Sequence, residues 1–221
     1  MIARAEREGL AVIFEAMGIY GDWVLPRLLD LAMGMKFVSE ERKKCLVGVA
    51  GTVLEVGFGS GHNLPFYPAE VRKVVAVDPS KQAAKLARKR IAAARFPVDY
   101  LNVEGEALAA PDGTFDAAVS TFTLCSVRDP AAALGQLRRV LKPGGKLFLV
   151  EHGRSDEPKV QRWQDRMNGV QKALFGNCHL NRDIARLVEE AGFAFDHLDK
   201  YYLKGQAKIS GFITRGIAHA S

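Results

Sequence analysis

From residue 52 onward, short apolar runs alternate with longer stretches of helical period. The runs at 52–56 (TVLEV), 74–77 (VVAV), 98–102 (VDYLN), 117–121 (AAVST) and 146–150 (KLFLV) have strand length, and most are rich in β-branched residues. Helical patterns lie between them near 80–94 and 130–141, the second closing in LKPGG at 141–145, where Pro and Gly end a helix before the next strand. This alternation predicts parallel βαβ units with ligands bound at the carboxyl ends of the strands. The tail changes character. A helix at about 181–191 ends at Gly192, and runs at 195–203 and 208–218 turn around Gly205, which predicts an antiparallel pair at the edge of a mostly parallel sheet.

The first third reads differently. Residues 3–17 and roughly 22–35 have helical patterning interrupted near Gly18–Gly21, and Pro26 is tolerated near the second helix's first turn. Tyr20, Trp23, Leu28, Leu29, Met33 and their neighbours give this region much apolar surface to cover. It is expected to pack on the main domain, with a lid over an apolar substrate as the functional alternative. At 221 residues the chain fits one domain, divided into an N-terminal helical cap (1–45) and an α/β core (46–221).

Composition narrows the partners only a little. An excess of 31 Lys plus Arg over 25 Asp plus Glu gives a formal charge of +6, compatible with an anionic ligand or membrane surface but too small to choose one. Its local source is an acid-free run holding Lys81, Lys85, Arg88, Lys89, Arg90 and Arg95, read first as a solvated helix face. No broad basic footprint with groove-reading elements accompanies it, so no nucleic-acid partner is expected. Cys45, Cys125 and Cys178 are widely spaced and form neither a disulfide framework nor a CxxC knuckle, which fits a reducing, cytoplasmic setting. The start of the chain lacks a secretory pattern, and the apolar stretch 10–20 is too short to span a bilayer, though it could lie peripherally on one.

The candidate chemistry begins at VLEVGFGSGHNLPFY, residues 53–67. Gly57, Gly59 and Gly61 follow a predicted strand, where glycine permits positive φ and lets a ligand approach the backbone. The GxGxxG spacing of dinucleotide folds would need glycine at 62, which is His62, and the GK[ST] of a P-loop is absent. The next predicted strand ends in Asp78, placed to accept hydrogen bonds from both hydroxyls of a ribose, with capping of the helix after Pro79 as the alternative. After the third strand, Glu104, Gly105 and Glu106 would meet an adenine edge. Asp116 is expected to have a local structural role.

Together these elements resemble the class I S-adenosylmethionine-dependent methyltransferases. VLEVGFGSG at 53–61 resembles the family's first motif, Asp78 its ribose-binding acid, EGEAL at 104–108 its adenine loop, and RVLKPGG at 139–145 the motif before its fifth strand. The resemblance implies a Rossmann-like, seven-stranded, mostly parallel sheet with an antiparallel C-terminal strand, and S-adenosylmethionine as cofactor. The donor site it implies comprises Tyr20, Glu55, Gly57, Gly59, Ser60, Gly61, Asn63, Asp78, Pro79, Ser80, Glu104, Gly105, Glu106 and Thr121. LCSVRD at 124–129, Glu151-His152-Gly153, the region around Trp163, and NCHLNR at 177–182 are similar to the thiol methyltransferase subgroup, whose animal members are membrane-associated. This chain shows no long hydrophobic N-terminal anchor of their kind.

Methyl transfer from a sulfonium needs alignment and exclusion of water rather than a metal, and no metal site is expected: His62, His152 and His179 form no spacing-defined metal motif with the carboxylates. A thiol acceptor is already partly ionised near neutral pH, whereas an amine would need a base. His152 and His179 are the candidate catalytic groups, and Trp23, His62, Phe66, Tyr67, Trp163 and Tyr202 the candidate acceptor walls. Cys125 is expected to be a packed, inert thiol. The expected substrate is a small apolar or lipid-like thiol or amine, with phosphatidylethanolamine N-methylation and a noncatalytic nucleotide-binding protein as alternatives. The oligomeric state stays open.

Overall fold

The computed structural model describes residues 25–101, 103, 104 and 107–221. The predicted helix at 3–17, together with Tyr20, Trp23, Gly105 and Glu106, lies outside them. Two helices come first, α1 (Leu25–Met33) and α2 (Lys36–Cys45). The α/β core then runs β1 (Gly51–Val56), β2 (Val71–Val77), α3 (Lys81–Ala92), β3 (Val98–Tyr100), a small hairpin of β4 (Val103–Glu104) and β5 (Ala107–Leu108), and β6 (Phe115–Thr121). It continues through α4 (Pro130–Val140), β7 (Leu141–His152), α5 (Pro158–Leu174), α6 (Ile184–Glu190), β8 (Phe193–Tyr202) and β9 (Phe212–Ala220). Seven strands form one sheet in the order β3-β2-β1-β6-β7-β9-β8, and β9 alone runs against its neighbours. The seven-stranded, mostly parallel architecture expected from the sequence is therefore present.

Period-two alternation explains the layers. On β1, Val53 faces one core and Leu54 the other; on β7, Phe148 and Val150 join the first while Leu147 and Leu149 join the second. Because both faces are covered, the strands read as continuous apolar runs rather than alternating ones. Leu134 and Leu137 of α4 and Ile184 and Val188 of α6 cover one face; Cys45 of α2 and Ala87 of α3 cover the other.

Several boundaries differ from expectation. The LKPGG segment ends α4 as predicted but already pairs with the sheet: Phe115 opposes Leu141 and Ala117 opposes Lys146, so residues 142–145 form an irregularity within β7. Helix α2 falls within the helical cap expected over 1–45, but its largely charged sequence, KFVSEERKKC, gave no separate bounds for it. Its buried residues include Glu41 and Arg42, each less than 7% exposed.

Those buried charges are paired. Arg42 Nη1 donates to Asn63 Oδ1 (2.9 Å) and Thr121 Oγ1 (2.5 Å), Asn63 Nδ2 donates to Glu55 Oε1 (2.9 Å), and Tyr67 Oη donates to Glu55 Oε2 (2.7 Å). This chain of bonds fastens α2 to the ends of β1 and β6 and to the glycine turn. Glu41 accepts from Lys44 and from the Tyr201 hydroxyl, tying the same helix to β8. Asp116 has the local structural role expected, accepting from Thr52 N (2.7 Å) and from Lys142 and Arg72.

Burial, the largest influence on Glu55, raises its pKa from 4.5 to about 7, against the Tyr67 and Asn63 hydrogen bonds and the Arg42 charge, which favour the anion. The folded chain thus holds this proton more tightly than the unfolded chain. The resulting stability is fully present below about 4.5 and is lost as pH rises through about 7. Relative to Glu55→Gln, which cannot ionise, the wild type should lose up to about 3 kcal/mol across that window. Urea unfolding of both proteins at a series of pH values checks this, and a stability difference that stays constant across the window would overturn it.

Candidate functional site

The turn after β1 is built around glycine. Gly57, Gly59 and Gly61 have φ of +70°, +57° and +80°, and a Cβ at Gly57 would sit 1.9 Å from Thr123 Oγ1. Backbone and side chain at 57 are thus both restricted to glycine. Gly57 N donates to Val77 O at the end of β2 (2.9 Å), and Gly59 N donates to Asp78 Oδ2 (2.7 Å). Ser80 N donates to Asp78 Oδ1 (2.8 Å), while Ser80 Oγ caps α3 through Ala83 N (3.1 Å). Burial raises Asp78 above its usual range although both backbone donors favour its anion.

These residues border a cavity of about 600 Å³ at the carboxyl ends of β1, β2, β6 and β7. Gly57, Gly59, Ser60, His62, Asp78, Pro79, Ser80, Thr121 and His152, all singled out in the sequence, line it. Glu55 and Asn63 do not; they are buried behind it, bonded to each other, with Arg42 of the same network reaching the wall. Gly61 supports the turn, its Cβ position 3.1 Å from Leu64 Cδ1. Tyr67 is 1% exposed with its hydroxyl on Glu55, so it is core rather than acceptor wall. Phe66 packs against the same core, Trp163 is 57% exposed on α5, and the Tyr202 hydroxyl is held 2.5 Å from Ser155 Oγ; none of the three borders the cavity. His179 does not border it either, but its backbone N donates to Cys125 O (2.8 Å). For Glu104 only the backbone in β4 is described.

The sequence reading missed several wall residues. Arg42 reaches the cavity from α2, and its buried Nε has no hydrogen-bond partner among the described residues. Burial is the largest influence on its pKa and lowers it, opposed by Glu55 and Glu151. The guanidinium lies 5.4 Å from the ring centroid of Phe122, a non-glycine residue held at φ 55°. Left-handed backbone at an aromatic residue is strained and concentrates at functional sites. Glu151, on β7, anchors the segment after Phe122 by accepting from Ser120 Oγ (2.8 Å), Thr123 N (3.0 Å) and Cys125 N (3.2 Å).

Helix α1 forms the wall over the glycine turn. Asp30 accepts from Ser60 Oγ (2.5 Å) and Arg90 Nη1 (3.0 Å), and His62 Nε2 lies 2.8 Å from Asp30 Oδ1 and 3.0 Å from Asp30 O. Facing two acceptors, that nitrogen carries the ring proton. Burial alone would raise the Asp30 pKa, but the Ser60 hydroxyl, Arg90 and His62 outweigh it and hold it low. Arg90, read from sequence as part of a solvated basic face, is here a tether, and it also donates to Ser60 O (2.9 Å).

On the opposite wall His152 and two thiols meet. Cys178 Sγ lies 3.5 Å from His152 Nδ1 and 3.7 Å from Cys125 Sγ, and His152 Nε2 is buried without a partner among the described residues. The hydrogen bond between the thiols favours an anion on Cys178 and a retained proton on Cys125.

Residues 54–149 match the family model described as a methyltransferase domain. The human protein named thiol S-methyltransferase TMT1B is 36% identical over 159 residues, covering 68% of this chain and 64% of the relative; the rat TMT1B is 37% identical over 153 residues, covering 65% and 60%. The domain match and these relatives support a class I S-adenosylmethionine-dependent methyltransferase. It spans about three fifths of the length of those relatives. A demethylmenaquinone methyltransferase of Clavibacter sepedonicus is 32% identical, covering 71% of this chain and 60% of that protein. The fold likeness is broader: an S-adenosylmethionine-dependent methyltransferase of Thermotoga maritima superposes with a TM-score of 0.64 at 24% identity, covering 93% of this chain and 99% of that one.

The family's donor, S-adenosylmethionine, fits the residues present. The turn leaves no room for a Cβ at Gly57, the Asp78 carboxylate and Arg42 line the space, the buried Arg42 Nε has no partner among the described residues, and the volume lies within the ~300–1,000 Å³ usual for small-molecule sites.

Since the Asp30 carboxylate ties α1 to Ser60, His62 and Arg90, Asp30→Ala should loosen the helix without unfolding the sheet. Amide exchange over residues 25–33 is expected to rise about 10-fold or more, corresponding to loss of charge-assisted bonds of ~1.5–3 kcal/mol, while exchange in β1 and β7 stays unchanged. Equal protection of α1 in both proteins would show that its other contacts hold it.

Proposed function

We propose that this chain transfers a methyl group from S-adenosylmethionine to a small apolar acceptor, with a thiol the favoured class. The observation that carries this reading is one continuous cavity with both polar and apolar lining. The glycine turn, Asp78 and Arg42 supply polar groups, and Met35, Val38, Phe122, Val127 and Ile213 give much of the remaining wall an apolar character, with His152 among them. In this reading Asp78, already fixed by two backbone donors, takes the ribose through its remaining lone pairs, and the Arg42 guanidinium, whose Nε has no partner among the described residues, takes the donor's carboxylate.

When bound, S-adenosylmethionine supplies an electrophilic methyl on its sulfonium. The protein's contribution is alignment: the polar and apolar walls of the cavity hold donor and acceptor in one orientation, a factor worth up to ~7–11 kcal/mol at best. Helix α1 excludes water from the donor side. His152 Nε2 offers the acceptor a hydrogen-bonding atom with no competing partner among the described residues. A thiol with a pKa near ~8.5 suits this arrangement because part of it is ionised at neutral pH.

The relatives named as thiol S-methyltransferases support the same class, and the surface supports an apolar substrate. Trp163, Met167, Val170 and Leu174 lie exposed on α5, which leads to Phe175 at the cavity. Their three- and four-residue spacing makes one stripe along the helix. No helix among the described residues is long and apolar enough to cross a membrane, and peripheral contact through this stripe forms part of the proposal.

Calorimetry with S-adenosylhomocysteine should show binding by the wild type and a loss of about 10- to 100-fold in affinity in Asp78→Ala, equivalent to ~1.5–3 kcal/mol. Unchanged affinity would remove Asp78 from the donor site. A screen of alkyl thiols, amines, phenols and phosphatidylethanolamine with labelled donor, scored by product mass, tests the acceptor. Thiol turnover that falls in His152→Gln supports the reading, whereas turnover of phosphatidylethanolamine alone, or donor binding with no turnover of any acceptor, would replace it.

A further inference from the structure

Cys125 follows β6, His152 ends β7 and Cys178 follows α5, so the three are far apart in sequence and converge only through the fold. Their ligand atoms all lie within 4.8 Å of one another. The two measured edges are 3.7 Å between the sulfurs and 3.5 Å from Cys178 Sγ to His152 Nδ1. A tetrahedral zinc centre with Zn–S of about 2.3 Å and Zn–N of about 2.0–2.1 Å requires edges of about 3.7–3.8 Å for S···S and about 3.5–3.6 Å for S···N. A disulfide would instead require the sulfurs to close to about 2.05 Å.

The surroundings fix the backbone segments that carry the two cysteines. Asn177, held in the left-handed region at φ 66°, donates from Nδ2 to Ser126 O (2.9 Å), and His179 N donates to Cys125 O (2.8 Å), clamping the two cysteine segments together. Arg182 Nη1 fastens the same segment by donating to Leu124 O (2.5 Å). Soft sulfur with imidazole selects a zinc-like ion over magnesium or calcium. All three residues border the cavity, which leaves a side of the cluster open as in three-ligand zinc sites rather than closed structural ones.

We infer that Cys125, His152 through Nδ1, and Cys178 bind one soft divalent cation of the zinc type, with the fourth coordination position facing the cavity. Binding uses both sulfurs as thiolates and the imidazole as a neutral ligand, so each thiol still protonated releases its proton to solvent as its metal–sulfur bond forms. The site goes beyond the methyl-transfer reading and does not depend on which acceptor is used.

The test uses the full chain, reduced and freed of metal by chelation, titrated with Co²⁺ as a spectroscopic stand-in for zinc. The expected result is one equivalent bound, with thiolate charge-transfer absorption and the intense visible bands of tetrahedral cobalt, displaced by Zn²⁺. Cys125→Ser and Cys178→Ser should each weaken binding beyond the ~10–100-fold typical of losing a mere supporting residue. Cys45→Ser, which alters the buried thiol of α2, should bind as the wild type does, and thermal melts confirm that each variant is folded. A small alkyl thiol should shift the visible bands by entering the fourth position; an unchanged spectrum would overturn that open position. Absence of stoichiometric cobalt binding, equal affinity in folded Cys178→Ser, or a Cys125–Cys178 disulfide in protein that binds no metal after reduction would overturn the site.

Discussion

The arrangement depends first on a charge that the fold has taken out of water. Arg42 is buried and bonds to Asn63 and Thr121, with Glu55 behind Asn63, and leaving such a buried polar group without a partner costs about 1–3 kcal/mol, more for a charge. The set fastens the charged helix α2 to the turn after β1 and to the end of β6, which sheet pairing already sets side by side. Arg42 and Thr121 of this set line the cavity. Its geometry follows from satisfying a buried guanidinium as much as from packing the sheet.

Much of the frame was legible because it obeys periodic rules. Parallel strands covered on both faces are apolar at most positions, and 52–56, 74–77, 117–121 and 146–150 are; Gly57 and Asp78 stood out by their places after the first two strands. Helix α2 was not legible as a separate element, for the opposite reason. Its helical face carries Glu41 and Arg42, and nothing local distinguishes a buried arginine from a solvated one; the distinction lies in Asn63 and Thr121, 21 and 79 residues away.

The acceptor side was harder still. Tyr67, Phe66, Trp163 and Tyr202 were reasonable wall candidates as aromatic residues near motifs, but aromatic rings serve cores more often than ligands, and here they pack, lie outside or bond elsewhere. Cys178 gave no sign by spacing, because its neighbours in space come from two other strand ends. Arg90 shows the same limit: an acid-free basic run includes a residue whose partner, Asp30, lies 60 positions earlier.

The reversed strand β9 has a wider consequence. By running against β7 it returns the chain past the cavity, so that Leu203, Gln206, Ser210 and Ile213 complete a wall that otherwise comes from earlier segments. Three of these four lie in the connection before β9 rather than in the sheet's parallel frame. The catalytic body and its choice of guest are thus written in separable stretches of the chain: insertions or replacements between residues 203 and 211 can reshape what the cavity admits without disturbing the turn, the carboxylate or the guanidinium elsewhere in its wall.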